Sequence, residues 1–283
     1  MTSSQYQPLI TVVVAVYNKH ATLRQCLDSV VQQTYLNVEL IVIDGGSSDG
    51  TTDVLRNYSS RMAYCISEPD RGIYHAWNKA LAQAHGEWIC FLGADDFLWD
   101  LQVLSRIVVQ LERVPSDINV AYSQVNLIDE NDETLYSIGQ AWDEVKQGFK
   151  QLMCIPHPAV MHRSRLFKKN GVFDVSFRIA GDYELLLREL KNGDAIFMPG
   201  IIFSAMRQGG MSSALGATLA ALREVRAAQR KNGLRWPGAG WLLALARAYL
   251  RWAFWSILGE RPTRILLDCG RRLRGLPRHW TKT

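Results

Sequence analysis

The feature that most constrains this chain is a pattern repeated four times over its first hundred residues. Short apolar runs of β-branched character alternate with stretches of helical periodicity. Leu9 to Val16 (LITVVVAV) and Val38 to Ile43 (VELIVI) are continuous apolar runs of strand length, which suits strands covered on both faces. Met62 to Ser67 and Glu87 to Leu92 continue the series, and Val120 to Val125 adds a further strand. Between the first two runs, Leu23, Leu27, Val30 and Val31 recur at helical spacing; helices are also expected from Thr51, over Gly72 to Ala84, and up to Leu111. Strands separated by helices of about a dozen residues imply βαβ units and a mainly parallel sheet flanked by helices. An oxidoreductase on a dinucleotide-binding fold is disfavoured, because the first strand ends in AVYN rather than in GxGxxG.

Such sheets bind ligands beyond the carboxyl ends of their strands. There this sequence places three acidic turns: Asp44 after the second strand, Asp70 with Arg71 after the third, and Asp95 with Asp96 after the fourth. Two adjacent carboxylates are costly without a counter-ion. A divalent metal resolves the repulsion, and hard oxygen ligands select Mg or Mn. The metal in turn implies a phosphate-bearing substrate. The competing reading of Asp95 and Asp96 is a solvated loop.

The runs ITVVVAVYN, VELIVIDGGSSDGT and EPDRGIYHAWNKALAQAHGEWICFLGADD together resemble the nucleotide-sugar-binding half of a family 2 glycosyltransferase with the GT-A fold, over roughly residues 9 to 100. The resemblance implies that Val16 and Tyr17 hold a uracil ring, that Asp44 contacts the base, and that Arg71 faces the nucleotide or its phosphates. It sets Asp95 on the ribose or sugar and Asp96 on the metal. Family members often read DADD where this chain reads GADD, with Gly93 in the leading position. Tyr17 could instead pack the strand end, and Asp49 suits a helix cap better than a ligand.

The segment GVFDVSFRIAGDYELLLREL resembles the family's acceptor-side motif, with Asp182 in the place of the catalytic base. A carboxylate opening a helix is also favourable on macrodipole grounds alone. Glu184 is the weaker candidate. His157, in CIPHPAVMHR, resembles a position lining the acceptor side, and Arg207 with QGGMSSA resembles a segment that closes over phosphates. A base opposite the leaving group implies inversion at the anomeric carbon.

Charge divides the chain. Residues 1 to 212 carry 18 Lys and Arg against 24 Asp and Glu, a net of −6, whereas residues 213 to 283 carry 14 against 3, a net of +11. The first part reads as the catalytic domain, with a nucleotide-sugar half over 1 to 115 and an acceptor half over 116 to 212. The second reads as a basic amphipathic helical region, with helices over 214 to 231, 236 to 258 and 263 to 274. Trp241 to Leu258 is apolar, yet Arg247 and Arg251 near its centre would each cost about 2.5 to 3.5 kcal/mol at mid-bilayer, so a spanning helix is not expected. Trp, Leu and Arg on one helix suit an interface with anionic lipid. Packing of these helices on the core or in a homo-oligomer is the competing reading, and nucleic acid is disfavoured. Five scattered cysteines without a CxxC pair suit a reducing compartment, and the N-terminus shows no secretory signal.

The combined expectation is an inverting, Mn- or Mg-dependent transferase in the cytoplasm, peripheral on the inner face of the cell membrane. It would move a sugar from a nucleotide-sugar donor, with UDP favoured, to a polyprenyl-diphosphate-linked saccharide in surface polysaccharide assembly. The alternatives are a transferase for soluble or protein acceptors and a non-catalytic nucleotide-sugar-binding domain.

Overall fold

The computed structural model describes residues 6–208, 215–273, 275, 277, 278, 280 and 281. Residues 209–214, most of the segment expected to close over phosphates, lie outside these residues, as does Arg274.

The opening pattern folds as β1 (Ile10–Val16), α1 (His20–Val31), β2 (Val38–Asp44), α2 (Thr51–Asn57), β3 (Tyr64–Ser67), α3 (Ile73–Leu81) and β4 (Trp88–Gly93). These four strands pair in parallel, with β1 between β2 and β4 and β3 outside β2. Successive residues of a strand face opposite sides, and both sides are covered here. Val12 and Val14 join one buried cluster with Leu23, Leu27 and Ile107, while Val13 joins a second with Trp77, Phe91 and Leu186. That two-sided burial is why the strands read as unbroken apolar runs.

The chain continues through β5 (Phe97–Leu98), α4 (Val103–Leu111), β6 (Val120–Ile128), β7 (Thr134–Ile138), α5 (Trp142–Phe149), a one-turn helix over His157–Ala159, β8 (Val160–Arg163), α6 (Arg165–Asn170), α7 (Gly181–Leu190) and β9 (Ile196–Arg207). Among the described residues the sheet has nine strands in the order β3-β2-β1-β4-β8-β6-β9-β5, with β7 on β6. Its first half is parallel. At β8 the direction reverses, since β8 runs antiparallel to both β4 and β6, so the whole is a mixed sheet flanked by helices.

The order also locates the ligand crevice. The chain runs outward from β1 to β3, then returns to lay β4 on the other side of β1, and such a switch opens a crevice at the strand ends. Register aligns those ends: Val16 lies opposite Asp44, Asp44 opposite Ser67, and Ala15 opposite Gly93.

Beyond β9 come α8 (Leu215–Lys231), α9 (Ala239–Leu258) and α10 (Glu260–Arg272). α8 carries Val225 and Ala228 into the second core cluster, so the basic segment begins with a helix built into the body. α9 differs: of its twenty residues Ala248 is the buried one. Among the described residues, no helix is long and apolar enough to cross a membrane.

Candidate active site

The carboxyl ends of β1 to β4 carry Val16, Tyr17, Asp44, Arg71, Asp95 and Asp96 on one edge of the sheet. Asp44 is fully buried at the end of β2. Its carboxylate accepts the Ser47 and Ser67 hydroxyls, each at 2.5 Å, and the Ser47 amide at 3.0 Å. It therefore organises the turn after β2. Tyr17 stands out from this floor at 62% exposure, while Val16 is buried and its carbonyl accepts the Gly45 amide at 2.9 Å. Tyr17 thus has a free ring face at the crevice, whereas the Val16 side chain belongs to the core. A Cβ on Gly45 would lie 2.9 Å from Asp70 Oδ2 and 3.4 Å from the Tyr17 ring, so the β2 turn reaches the β3 turn closely. Arg71 is exposed on that turn.

Asp95 and Asp96 follow β4 on a turn held from α1. Thr22 donates its hydroxyl to the Ala94 carbonyl at 3.0 Å, and the buried Cys26 thiol points at the Gly93 carbonyl at 3.4 Å. Asp95 is paired with Lys19 Nζ at 2.7 Å. Asp96 is 7% exposed and accepts the Arg207 amide at 3.0 Å. Burial first, and the Asp95 charge second, push the Asp96 carboxyl up to about 7; the Arg207 amide, Arg207 and Lys19 oppose the shift. Arg207 ends β9 and is held by Gln25 at 2.7 Å and by Asp132.

Gly93 explains the departure from an acidic residue at this position. A Cβ there would come within 2.8 Å of Asp96 Oδ2 and 3.1 Å of Asp95 Oδ1. The glycine allows both carboxylates to fold back beside the strand end. Two hard carboxylates, one of them buried and short of compensating charge, fit a divalent cation. Among the described residues no group of three or more His, Cys, Asp or Glu side chains is arranged for a metal. The remaining ligands would have to come from water and a bound diphosphate, the usual arrangement for Mg at phosphate sites.

Asp182 is partly buried in the first turn of α7. Its Oδ1 accepts the Tyr183 amide at 2.8 Å and faces the Tyr74 hydroxyl at 3.3 Å; that hydroxyl also donates to the Ile179 carbonyl at 2.7 Å. Burial, then the Asp182 charge, push the Tyr74 phenol far above its ordinary range, so it stays a hydroxyl. Gly181 permits the contact, since a Cβ there would strike the Tyr74 ring at 2.7 Å. Glu184 is fully buried and paired with Arg188 at 2.9 Å, so it serves structure.

His157 is also buried, stacked on Trp77 at 5.1 Å with its Nε2 3.3 Å from His162 Nε2. Burial holds its imidazole below the ordinary value, with the Asp182 carboxylate pulling the other way. It therefore sits neutral in the core rather than on an open wall.

Three contributors escape sequence reasoning. Lys19 follows the VYN of β1 directly, and its position at the crevice could have drawn attention. Tyr74 lies within EPDRGIYHAWNKA, where the tyrosine alone carries no chemical signal. Glu224 on α8 accepts the amides of Arg178, Ile179 and Ala180 at 2.8 to 3.1 Å, and nothing in the sequence connects it to them.

The comparisons with known proteins bear on the family and the fold. Residues 11–169 match the model of Glycosyl transferase family 2. A PGL/p-HBAD biosynthesis glycosyltransferase of Mycobacterium bovis is 30% identical over 214 residues, covering 74% of this chain and 80% of the relative. Among solved structures, S. aureus TarS 1-349 in complex with UDP superimposes with a TM-score of 0.61 at 16% identity, covering 94% of this chain and 77% of TarS. The mannosyltransferase PcManGT from Pyrobaculum calidifontis, in complex with GDP-Man and Mn2+, gives 0.58 at 19% identity, covering 95% and 81%. The order of the strands, the acidic turn at the switch point and the match over more than half the chain lead to one conclusion: this chain is a member of glycosyltransferase family 2, with the GT-A fold.

Proposed function

We propose that the protein is an inverting transferase that moves a sugar from a uridine diphosphate sugar to a hydroxyl of a polyprenyl-diphosphate-linked saccharide, in the assembly of a surface polysaccharide. The observation that carries the reading is Asp182, a carboxylate fixed at the start of α7 by the Tyr74 hydroxyl and the Tyr183 amide. The exposed Tyr17 ring would take the base. Arg71 and Lys19 are the cations available to the donor's phosphates. Asp96 would hold a divalent cation and Asp95 would meet the ribose or sugar.

In the reaction, an acceptor hydroxyl attacks the anomeric carbon from the face opposite the diphosphate. The new C–O bond forms as the bond from carbon to the diphosphate oxygen breaks, and the hydroxyl proton passes to the Asp182 carboxylate. A divalent cation bound at Asp96 would offset the charge developing on the departing diphosphate. Inversion follows because the base and the leaving group lie on opposite faces of the sugar.

TarS, described with UDP and UDP-GlcNAc, supports the uridine donor; PcManGT, described with GDP-Man and Mn2+, supports a nucleotide sugar and a divalent cation; the mycobacterial relative is named for PGL/p-HBAD biosynthesis. Support for the membrane comes from α9 and α10. Leu250, Trp252 and Ile257 are about half or more exposed on a helix that also carries Arg247 and Arg251, a composition suited to lying in an interface. The chain would act at the cytoplasmic face of the membrane.

The test is transfer assayed with a panel of nucleotide sugars, with and without Mn2+, on a polyprenyl-diphosphate saccharide and on a soluble saccharide. Asp182→Asn is expected to keep UDP binding and lose transfer. Turnover by that variant, or a preference for soluble acceptors, overturns the corresponding part of the reading.

A further inference from the structure

α10 and the last described residues enclose a cleft of about 660 Å³ that lies apart from the nucleotide crevice and is lined by Arg261, Arg264, Arg272 and Arg278. The cleft is built by a fold-back of the chain. Asp268, almost fully buried, accepts the Trp280 amide at 3.0 Å, the Thr281 amide at 2.8 Å and the Thr281 hydroxyl at 2.6 Å. Arg271 donates to the Pro277 carbonyl at 2.7 Å. These bonds return the tail along α10 and so bring Arg278 to the same cleft as Arg261 and Arg272.

Its two acids are already engaged, Asp268 with the tail and Glu260 with Arg264 at 2.7 Å. Among the described residues Arg261, Arg272 and Arg278 form no ion pair. Several guanidinium groups around one concavity repel one another and favour an anion between them. Guanidinium forks match phosphate oxygens in pairs, which makes phosphate the fitting class.

We propose that this cleft binds the phosphate of an anionic membrane lipid. The choice of a lipid over a soluble phosphate rests on what surrounds it. Ile265 and Leu266 on α10, and Leu250, Trp252, Phe254 and Ile257 on the preceding α9, stand exposed, an apolar surface that a soluble anion would leave uncovered. α10 is also connected to the body beside the acidic turn. Arg271 lies 5.3 Å over the Tyr136 ring of β7, and the turn between β6 and β7 carries Asp132, the partner of Arg207 beside Asp96. A lipid phosphate held here would keep the acidic turn close to the membrane surface. The proposal rests on the membrane reading above and adds a defined site to it.

The experiment is co-sedimentation of the full chain with phosphatidylcholine vesicles, with and without phosphatidylglycerol. It compares wild type, the Arg261→Gln/Arg272→Gln double variant, and Arg223→Gln/Arg230→Gln as a control that removes the same charge from exposed positions of α8. Circular dichroism establishes that each is folded. Wild type and control are expected to favour the anionic vesicles, and the cleft variant to lose about tenfold or more in that affinity. Equal losses in the two variants would overturn the cleft and leave general basic attraction. Equal binding of all three to neutral and anionic vesicles would also overturn the cleft, while sparing the apolar membrane surface. Failure of wild type to bind any vesicle would sink the membrane reading itself. Thermal stabilisation by inorganic phosphate or pyrophosphate that the cleft variant loses, without any change in vesicle binding, would assign the site to a soluble anion and overturn the lipid.

Discussion

Glu224 on α8 accepts the backbone amide of Ala180 at 2.9 Å, two residues before Asp182, and the same carboxylate takes the amides of Arg178 and Ile179. Three consecutive donors converging on one carboxylate fix the path of the chain into α7. They also tie the turn before Asp182, the proposed base, to the basic C-terminal segment. α8 is joined in turn to α9, where Trp241 donates its indole N–H to the Leu222 carbonyl at 2.9 Å and Arg251 reaches the Thr218 hydroxyl at 2.6 Å.

Glu224→Ala should therefore damage catalysis without touching the nucleotide crevice. Placement errors of about 1 Å can cost on the order of 10²-fold in rate, and the expected result is a loss of that size in kcat with the donor KM unchanged. Orphaning partly buried amides adds a stability loss of about 1 to 3 kcal/mol. Glu224→Gln, which keeps an acceptor oxygen, should recover part of the rate. Steady-state kinetics on the three proteins, with melting curves, would test this; an unchanged kcat in Glu224→Ala would show that the turn holds itself.

Tyr74→Phe isolates a smaller term. It removes the hydroxyl shared between Asp182 and the Ile179 carbonyl while leaving the ring against Gly181 and stacked with Phe173 at 5.6 Å. A hydrogen bond to a charged group is worth about 1.5 to 3 kcal/mol. A fall in kcat of roughly 10-fold or more is expected, with UDP affinity retained by calorimetry.

The two halves of the molecule were unequally legible. Val12, Val13 and Val14 are all buried because helices cover both faces of β1, and the resulting apolar run announces a strand. The same logic served β2 and β4, and so located the acidic turns at their ends. β9 escaped because Pro199 and Gly200 interrupt it; Gly200 adopts φ +74°, and the β6–β9 register shifts nearby. α5 has its signal in Trp142, Val145 and Phe149, one face of a helix, but at eight residues it is too short for that spacing to repeat. β8 is four residues long, too short for periodicity to show. In the candidate site, the local motif around Asp182 places it at a helix start, where α7 begins. Glu224 was not legible, because its partners are 44 to 46 residues away and backbone amides leave no trace in side-chain identity.

Gly93→Ala should show how tightly the carboxylate pair is held. The new methyl would lie 2.8 Å from Asp96 Oδ2 and 3.1 Å from Asp95 Oδ1, and neither short side chain can withdraw without losing the Arg207 amide or Lys19. Overpacking of this kind costs about 1 to 3 kcal/mol. The expected outcome is lowered melting temperature together with weakened Mn2+-dependent donor binding, read by calorimetry with and without the metal. Wild-type behaviour on both counts would mean that Asp95 and Asp96 have room to rearrange and that the glycine serves another purpose.

Asp96 gives the pH dependence. Its carboxyl is raised from 3.8 to about 7, by burial first and by Asp95 second. A raised carboxyl means that the folded state binds the proton more tightly than the unfolded chain does. Its contribution to stability is thus fully present below pH 4 and is lost as pH rises through 7. At 1.36 kcal/mol per unit the loss is about 4 kcal/mol in the metal-free protein, and Asp96→Asn should remove most of that slope. A metal ligand must shed its proton, so apparent Mn2+ affinity should climb up to about tenfold per pH unit below 7 and level off above it. Denaturant titrations from pH 5 to 8.5 in chelator, repeated with Mn2+, separate the two effects. Metal-free stability that stays flat over this range in wild type would show that Asp96 is ionised and compensated by Lys19 and Arg207 alone, and the case for a cation at that carboxylate would lose its electrostatic ground.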